Sequence, residues 1–261
     1  MKKRFALLIG APHTGTGGLF RGLGSHPQVV PCRVMEPRYF TDERKFGLGL
    51  DWYRSLWEFQ EPDQRVALEA SSDYAWHPHV ECPAERIARS PAGFRFVYVV
   101  GDPLVRIAAH HARDVAEGLA GPRLEPRDLR RYVDATRYAS QLELYRRHFP
   151  AEDFLLIDAA EIARDPYAVL TRACHFLEID PYFAFPDVRE QLVRTAAAAR
   201  RQPGRLARWR ERLHPERAPR ATHAPASLAP GVREAALLEL RPEVERLAEA
   251  WGVDISGWRL R

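Results

Sequence analysis

Residues 4–9 read RFALLI and run straight into residues 10–20, GAPHTGTGGLF. A short apolar stretch meeting a glycine-dense turn that feeds a helical segment is the strand–loop–helix of a phosphate cradle. Glycines let the backbone pass close to an anion, so successive N–H groups converge on its oxygens. The helix start adds about half a positive charge. The chemistry of such a turn is that of a donor site for group transfer. The spacing from Gly10 to Gly15 matches GxxxxGK[ST], but the lysine position holds Thr16. No hydrophobic run ends in the acidic pair of a magnesium-binding partner strand, which disfavours a nucleoside-triphosphate enzyme. The plain alternative is an ordinary glycine-rich turn between strand and helix.

The chain has 261 residues, enough for one α/β domain with a sizeable core. At 46% hydrophobic and 10% aromatic residues, disorder is not expected. A net charge of +4 suits an anionic ligand but is too diffuse to argue for nucleic acid. Lys2, Lys3 and Lys45 are the only lysines, so few are available for catalysis. Cys32, Cys82 and Cys174 are widely spaced, which gives neither a zinc site nor a disulfide framework. The N-terminal MKKRFALLIGA resembles a short signal peptide, but its apolar run leads directly into the glycine turn and reads better as a strand. With no run near the roughly 18 apolar residues of a membrane span, a soluble cytoplasmic protein without membrane or nucleic-acid partners is expected.

Further along, residues 28–30, 66–70, 94–100 and 154–157 read as strands, the run FRFVYVV most clearly as a buried parallel one. Helices are expected at 19–23, 84–89, 104–117, 127–149, 167–177 and 230–251. The aromatic stripe Trp52, Tyr53, Leu56 and Trp57 reads as core packing. Strands alternating with helices predict a mostly parallel sheet with helices on both faces. A single domain is expected: an α/β core over 1–185, an Arg/Ala/Pro-rich loop and helix cover over 186–230, and a closing helix over 231–261.

Six segments, taken in order, resemble the sulfotransferases that use 3′-phosphoadenosine 5′-phosphosulfate (PAPS), in particular the bacterial and heparan-type glycan branch. GAPHTGTGGLFRGLGSHP is similar to that family's phosphosulfate loop, G-x-P-K-x-G-T-T-x-L with a helix ending in H-P. VMEPRYF resembles K-E-P-x-[YF]-F, and ALEASSDY resembles G-E-x-[ST]-P-x-Y. VVGDPLVRIAAHH resembles the 3′-phosphate segment R-[ND]-P-x-x-R-x-x-S-x-[HY]. Residues 155–180 are similar to the segment with an E-x-[LI]-x-x-[DN]-P core, and the C-terminal L-x-x-x-W-G-x-D-x-x-x-W also fits. The resemblance implies a P-loop-like α/β fold and metal-free transfer of a sulfuryl group to a hydroxyl or amine of a small molecule or glycan. PAPS, leaving as adenosine 3′,5′-bisphosphate, would be the donor. Pro12, His13, Thr14, Gly15, Thr16, Gly17, Gly18 and Arg106 fall on donor-binding positions, and His13 and Glu36 on catalytic ones. Glu36 stands where the branch has its general base, and Glu69 where a second acid orients the site. His110 and His111 are expected to be non-catalytic.

The departures are specific. The family's loop lysine is His13, which could act as imidazolium, a neighbouring phosphosulfate favouring the charged form, or donate one hydrogen bond when neutral. The second loop threonine is Gly17. The first clamp arginine and the clamp serine for the 3′-phosphate are Gly101 and Ala109, and the lysine before the acid is Met35. Arg106 remains, commonly in a structural role, and Arg200, Arg201 or Arg205 could supply donor cations. Two other readings follow: the same fold with a donor lacking a 3′-phosphate or with another chemistry, and a non-catalytic relative.

Overall fold

The computed structural model describes residues 3–186 and 228–260. Five parallel strands form one sheet in the order β2-β3-β1-β4-β5, where β1 is Arg4–Gly10, β2 Val29–Pro31, β3 Val66–Ala70, β4 Gly93–Val100 and β5 Phe154–Asp158. In the central strand successive side chains face opposite ways. Phe5, Leu7 and Ile9 enter one buried cluster with Tyr53, Tyr98 and Tyr145, while Ala6 and Leu8 enter another with Leu19, Leu170 and Leu177. Both faces are therefore covered, as a parallel sheet requires.

One face carries α1 (Thr16–Gly24), α8 (Ala159–Arg164) and α9 (Pro166–Leu177). The other carries α3 (Gly49–Arg54), α4 (Ala84–Ala88), α7 (Tyr138–Arg146) and the long α10 (Pro230–Trp251). The short α2 (Glu43–Phe46) precedes α3; α5 (Pro103–Ala116) and α6 (Leu129–Asp134) pack with α10 in a satellite cluster. The aromatic stripe is core, as expected: Tyr53 stacks on Phe5 and Tyr39 and meets Trp57 edge-on.

After β1 the chain turns into α1, which packs toward β2 and β3; after β4 it turns into α5, which packs toward α6 and α10. Neighbouring strands thus send their loops apart. A parallel sheet opens its ligand crevice at such a switch point, beyond the carboxyl ends of the strands.

One expected element is different. Residues 127–149 are not one helix: a 3-10 turn at Pro126–Asp128 leads into α6, and a break at residues 135–137 separates α6 from α7. The cause is tertiary. The Tyr132 carbonyl accepts from Arg106 Nη1 at 2.7 Å and from Thr136 Oγ1 at 2.6 Å, so side chains occupy an acceptor the helix ladder would use. Most of the predicted cover segment, including Arg200, Arg201 and Arg205, lies outside the described residues. Among the described residues no helix is long and apolar enough to cross a membrane.

Candidate functional site

The turn after β1 begins at Gly10, whose φ of 142° suits glycine. A Cβ there would lie 3.2 Å from the Ser72 carbonyl and 3.3 Å from the Tyr98 ring, so the strand end can close on its neighbours only without one. Gly15 caps α1 at φ 100°, again left-handed, and contributes no side chain. Its carbonyl accepts from Gly18 N at 2.9 Å and Leu19 N at 3.3 Å. The amides of His13, Gly15, Thr16 and Gly17 have no acceptor among the described residues. No acid sits in the first turn. Free donors at a helix start are the arrangement that suits an anion.

Three of the residues expected to bind donor point elsewhere. Thr14 is buried and its Oγ1 donates inward to Ala11 O at 2.7 Å and Val99 O at 3.0 Å, tying the turn to β4. Pro12 has no N–H, and its carbonyl faces the interior, accepting from Arg106 Nε at 3.1 Å. Arg106, only 2% exposed, spends its remaining donors on Tyr132 O, Thr136 Oγ1 at 2.5 Å and His110 Nδ1 at 2.7 Å. It holds the turn from beneath and has no face toward a ligand, so its assignment as a donor-binding residue is corrected to a structural one. Gly18 likewise uses its N–H within the turn, leaving His13, Gly15, Thr16 and Gly17 as the outward set.

His13 has φ 69°, an uncommon conformation for a residue with a Cβ. Its ring stacks on His110 at 4.4 Å between centroids, and His110 in turn meets Trp76 edge-on at 5.4 Å. Burial against this stack and the Arg106 and Arg113 guanidiniums push the His13 pKa down to about 3. The residue keeps an exposed edge, where water weakens the effect; the direction stands on two nearby cations. The imidazole is neutral at neutral pH, so the free protein has no imidazolium here. His110 is likewise held neutral, by burial and by Arg106. His111 Nε2 donates to Gly121 O at 3.0 Å. Both are engaged internally, in keeping with a non-catalytic role.

The acidic side of the site is built on the 3-10 turn Ser72–Ala75 that follows β3. Glu36 Oε2 accepts from Ser72 N at 2.8 Å. Arg38 N donates to Ser71 Oγ at 3.1 Å, Ser71 Oγ donates to Glu69 Oε1 at 2.8 Å, and Arg38 Nε pairs with Asp73 at 3.3 Å. Phe40 N donates to Tyr74 Oη at 3.3 Å. The 36–40 segment is thus clamped to the 71–74 segment at four points. Glu36 and Arg38 have φ of 52° and 55°. With His13 they make three of the four left-handed non-glycine residues in the described chain, all of them placed beyond the carboxyl ends of the neighbouring strands β1 and β3. Burial, with Asp73 adding to it, raises the Glu36 pKa above 4.5 against the Ser72 N–H. Glu69 is fully buried, hydrogen-bonded by Tyr53 Oη and Ser71 Oγ, and pushed up to about 7 by burial.

Glu36 and His13 border the same stretch: one caps the amide of Ser72, the other reaches Trp76 through His110. The buried Trp76 Nε1 and Tyr98 Oη have no hydrogen-bond partner among the described residues. Unpaired buried donors are rare enough to mark a site. Among the described residues, no group of three His, Cys, Asp or Glu side chains could hold a metal ion.

The expected 3′-phosphate clamp is a different environment. A Cβ on Gly101 would lie 3.2 Å from Ala159 Cβ and 3.8 Å from Asp158 Oδ1. Asp102 caps α5 through Leu104 N at 2.9 Å, and its second oxygen accepts from Arg259 N at 2.8 Å. Asp158 caps α8 through Ala160 N at 2.9 Å, and its second oxygen accepts from Trp258 Nε1 at 2.9 Å. The position is tight and carries two carboxylates.

No protein-family model matches the chain. It is similar to human heparan sulfate glucosamine 3-O-sulfotransferase 5, at 26% identity over 191 residues, 67% of this chain and 54% of the relative. It is also similar to the human 3-O-sulfotransferase 3B1, at 27% over 227 residues, 81% of this chain and 56% of the relative. The chain spans about half the length of these curated relatives. In structure it matches the crystal structure of a sulfotransferase from Alicyclobacillus acidocaldarius with a TM-score of 0.70 and 21% identity, covering 99% of both chains. That likeness shows the fold.

Proposed function

We propose that this chain, a sequence relative of the heparan sulfate 3-O-sulfotransferases with the sulfotransferase fold, transfers a sulfuryl group to a hydroxyl or amine of a glycan or small molecule. The observation that carries the reading is the set of amides on His13, Gly15, Thr16 and Gly17 that lack an acceptor among the described residues, in the turn after β1, with Glu36 bound to Ser72 just after the neighbouring strand β3. Those amides and the Thr16 hydroxyl would hold the phosphosulfate of a PAPS-type donor. The donor supplies the sulfuryl group. Its S–O bond to phosphate breaks as the acceptor oxygen or nitrogen bonds to sulfur, and the acceptor proton passes to Glu36. A half-buried carboxylate whose pKa burial has raised is a better proton acceptor than an exposed one. Neutral His13 donates one hydrogen bond toward the leaving phosphate, where charge grows.

A second reading keeps the fold and the reaction but changes the nucleotide. The clamp region, with Ala159 and two carboxylates about Gly101, favours a donor without a 3′-phosphate. A calorimetric titration with adenosine 3′,5′-bisphosphate and adenosine 5′-monophosphate separates the readings. A preference for the bisphosphate of tenfold or more is expected for PAPS, on the order of one charge-assisted contact. Equal affinities support the second reading, and the absence of both refutes the nucleotide-dependent transfer.

A further inference from the structure

Arg21 lies on α1 four residues after Gly17. Side chains four apart on a helix lie one above the other and lean toward its N-terminus. The Arg21 guanidinium accordingly folds back over the first turn: both Nη atoms lie 3.9 Å from where a Cβ on Gly17 would be. With no side chain at Gly17, the guanidinium reaches the end of the helix where the outward amides are.

The Arg21 side chain is exposed, and among the described residues it makes neither a hydrogen bond nor an ion pair. Other arginines around the site are committed: Arg106 to carbonyls and His110, Arg38 to Asp73, Arg113 to Glu117. The first turn of α1 offers no acid to Arg21. Partial burial also lowers its pKa, with no acid compensating. An exposed cation with no side-chain partner among the described residues, held over a helix start whose amides lack acceptors there too, is arranged for an anion that arrives from outside.

We propose that Arg21 is the cation of the donor loop, binding the 5′-phosphate end of the donor beside the amides of Gly15, Thr16 and Gly17. This deepens the sulfotransferase reading and rests on it for the identity of the donor. Arginine suits the task because its fork can meet two oxygens of one phosphate or sulfate at once. It also supplies the positive charge that neutral His13 does not.

The test uses the full chain and two probes, inorganic pyrophosphate and adenosine 3′,5′-bisphosphate, titrated by calorimetry without metal. Arg21→Ala should weaken both by about ten- to hundredfold, and Arg21→Lys by less, since a point charge remains without the fork. Arg89→Ala, an exposed arginine paired with Glu85, is the control and should change neither. Circular dichroism checks that each variant is folded; a surface substitution on α1 is expected to be tolerated. If pyrophosphate binding falls with Arg21→Ala but wild type ignores the bisphosphate, the Arg21 assignment stands and the donor reading falls. If wild type binds the bisphosphate and Arg21→Ala binds both probes equally well, Arg21 is refuted and the donor reading stands. If wild type binds neither probe, both are overturned.

Discussion

Replacing Glu69 with glutamine isolates one buried carboxyl behind the acidic wall. Glu69 is fully buried at the end of β3 and receives hydroxyl hydrogen bonds from Tyr53 and Ser71. Burial, with Glu36 adding to it, raises its pKa from 4.5 to about 7. The folded state therefore holds this proton more tightly than the unfolded chain. The resulting stabilisation is fully present below about pH 4.5, and is lost as pH rises toward and through about 7. A shift of this size corresponds to about 3 kcal/mol over the whole window, and about 2 kcal/mol of it falls between pH 5 and 7. Glutamine keeps the shape and cannot titrate. Urea unfolding of both proteins at pH 5, 6, 7 and 8 should show wild type losing about 2 kcal/mol relative to Glu69→Gln between pH 5 and 7. The constant offset from altered hydrogen bonds cancels in that difference. A flat difference across the range, or one that grows in favour of wild type, would refute the account of Glu69 as a carboxyl kept protonated by burial.

Thr14→Val should cost about 1 kcal/mol of stability in urea unfolding, because Ala11 and Val99 lose a buried donor, while Thr14→Ser should stay close to wild type; equal behaviour of the two variants would remove the hydroxyl from the turn's architecture. Gly101→Arg alone should destabilise the chain by about 1–3 kcal/mol through overpacking on Ala159, and adding Ala159→Gly should recover much of that loss. The paired variant should then bind adenosine 3′,5′-bisphosphate more tightly than wild type does, and unchanged affinity in calorimetry would show that this position does not face the 3′-phosphate.

The strands and the glycine turn were readable because each is local, as apolar runs bounded by turns and a loop whose glycines announce their φ values, and the parallel sheet was readable from strands alternating with helices. The 127–149 helix was not, since its break depends on Arg106, which arrives from α5 to occupy the Tyr132 carbonyl. A motif gives the position of a side chain and not its direction. Thr14 and Arg106 fit a donor-binding pattern, yet both turn into the protein. The charge state of His13 was open for the same reason, because Arg106 and Arg113 stand about a hundred positions away in sequence. Arg21 was missed although its signal was present: a glycine one helical turn before an arginine at a loop–helix junction.

The paired bonds from Trp258 to Asp158 and from Arg259 to Asp102 join the starts of two helices that leave neighbouring strands. The tail thereby works as a rivet between those two helix starts, fixing how far apart they stand. Loosening it would let that gap widen without altering a single atom of the glycine turn.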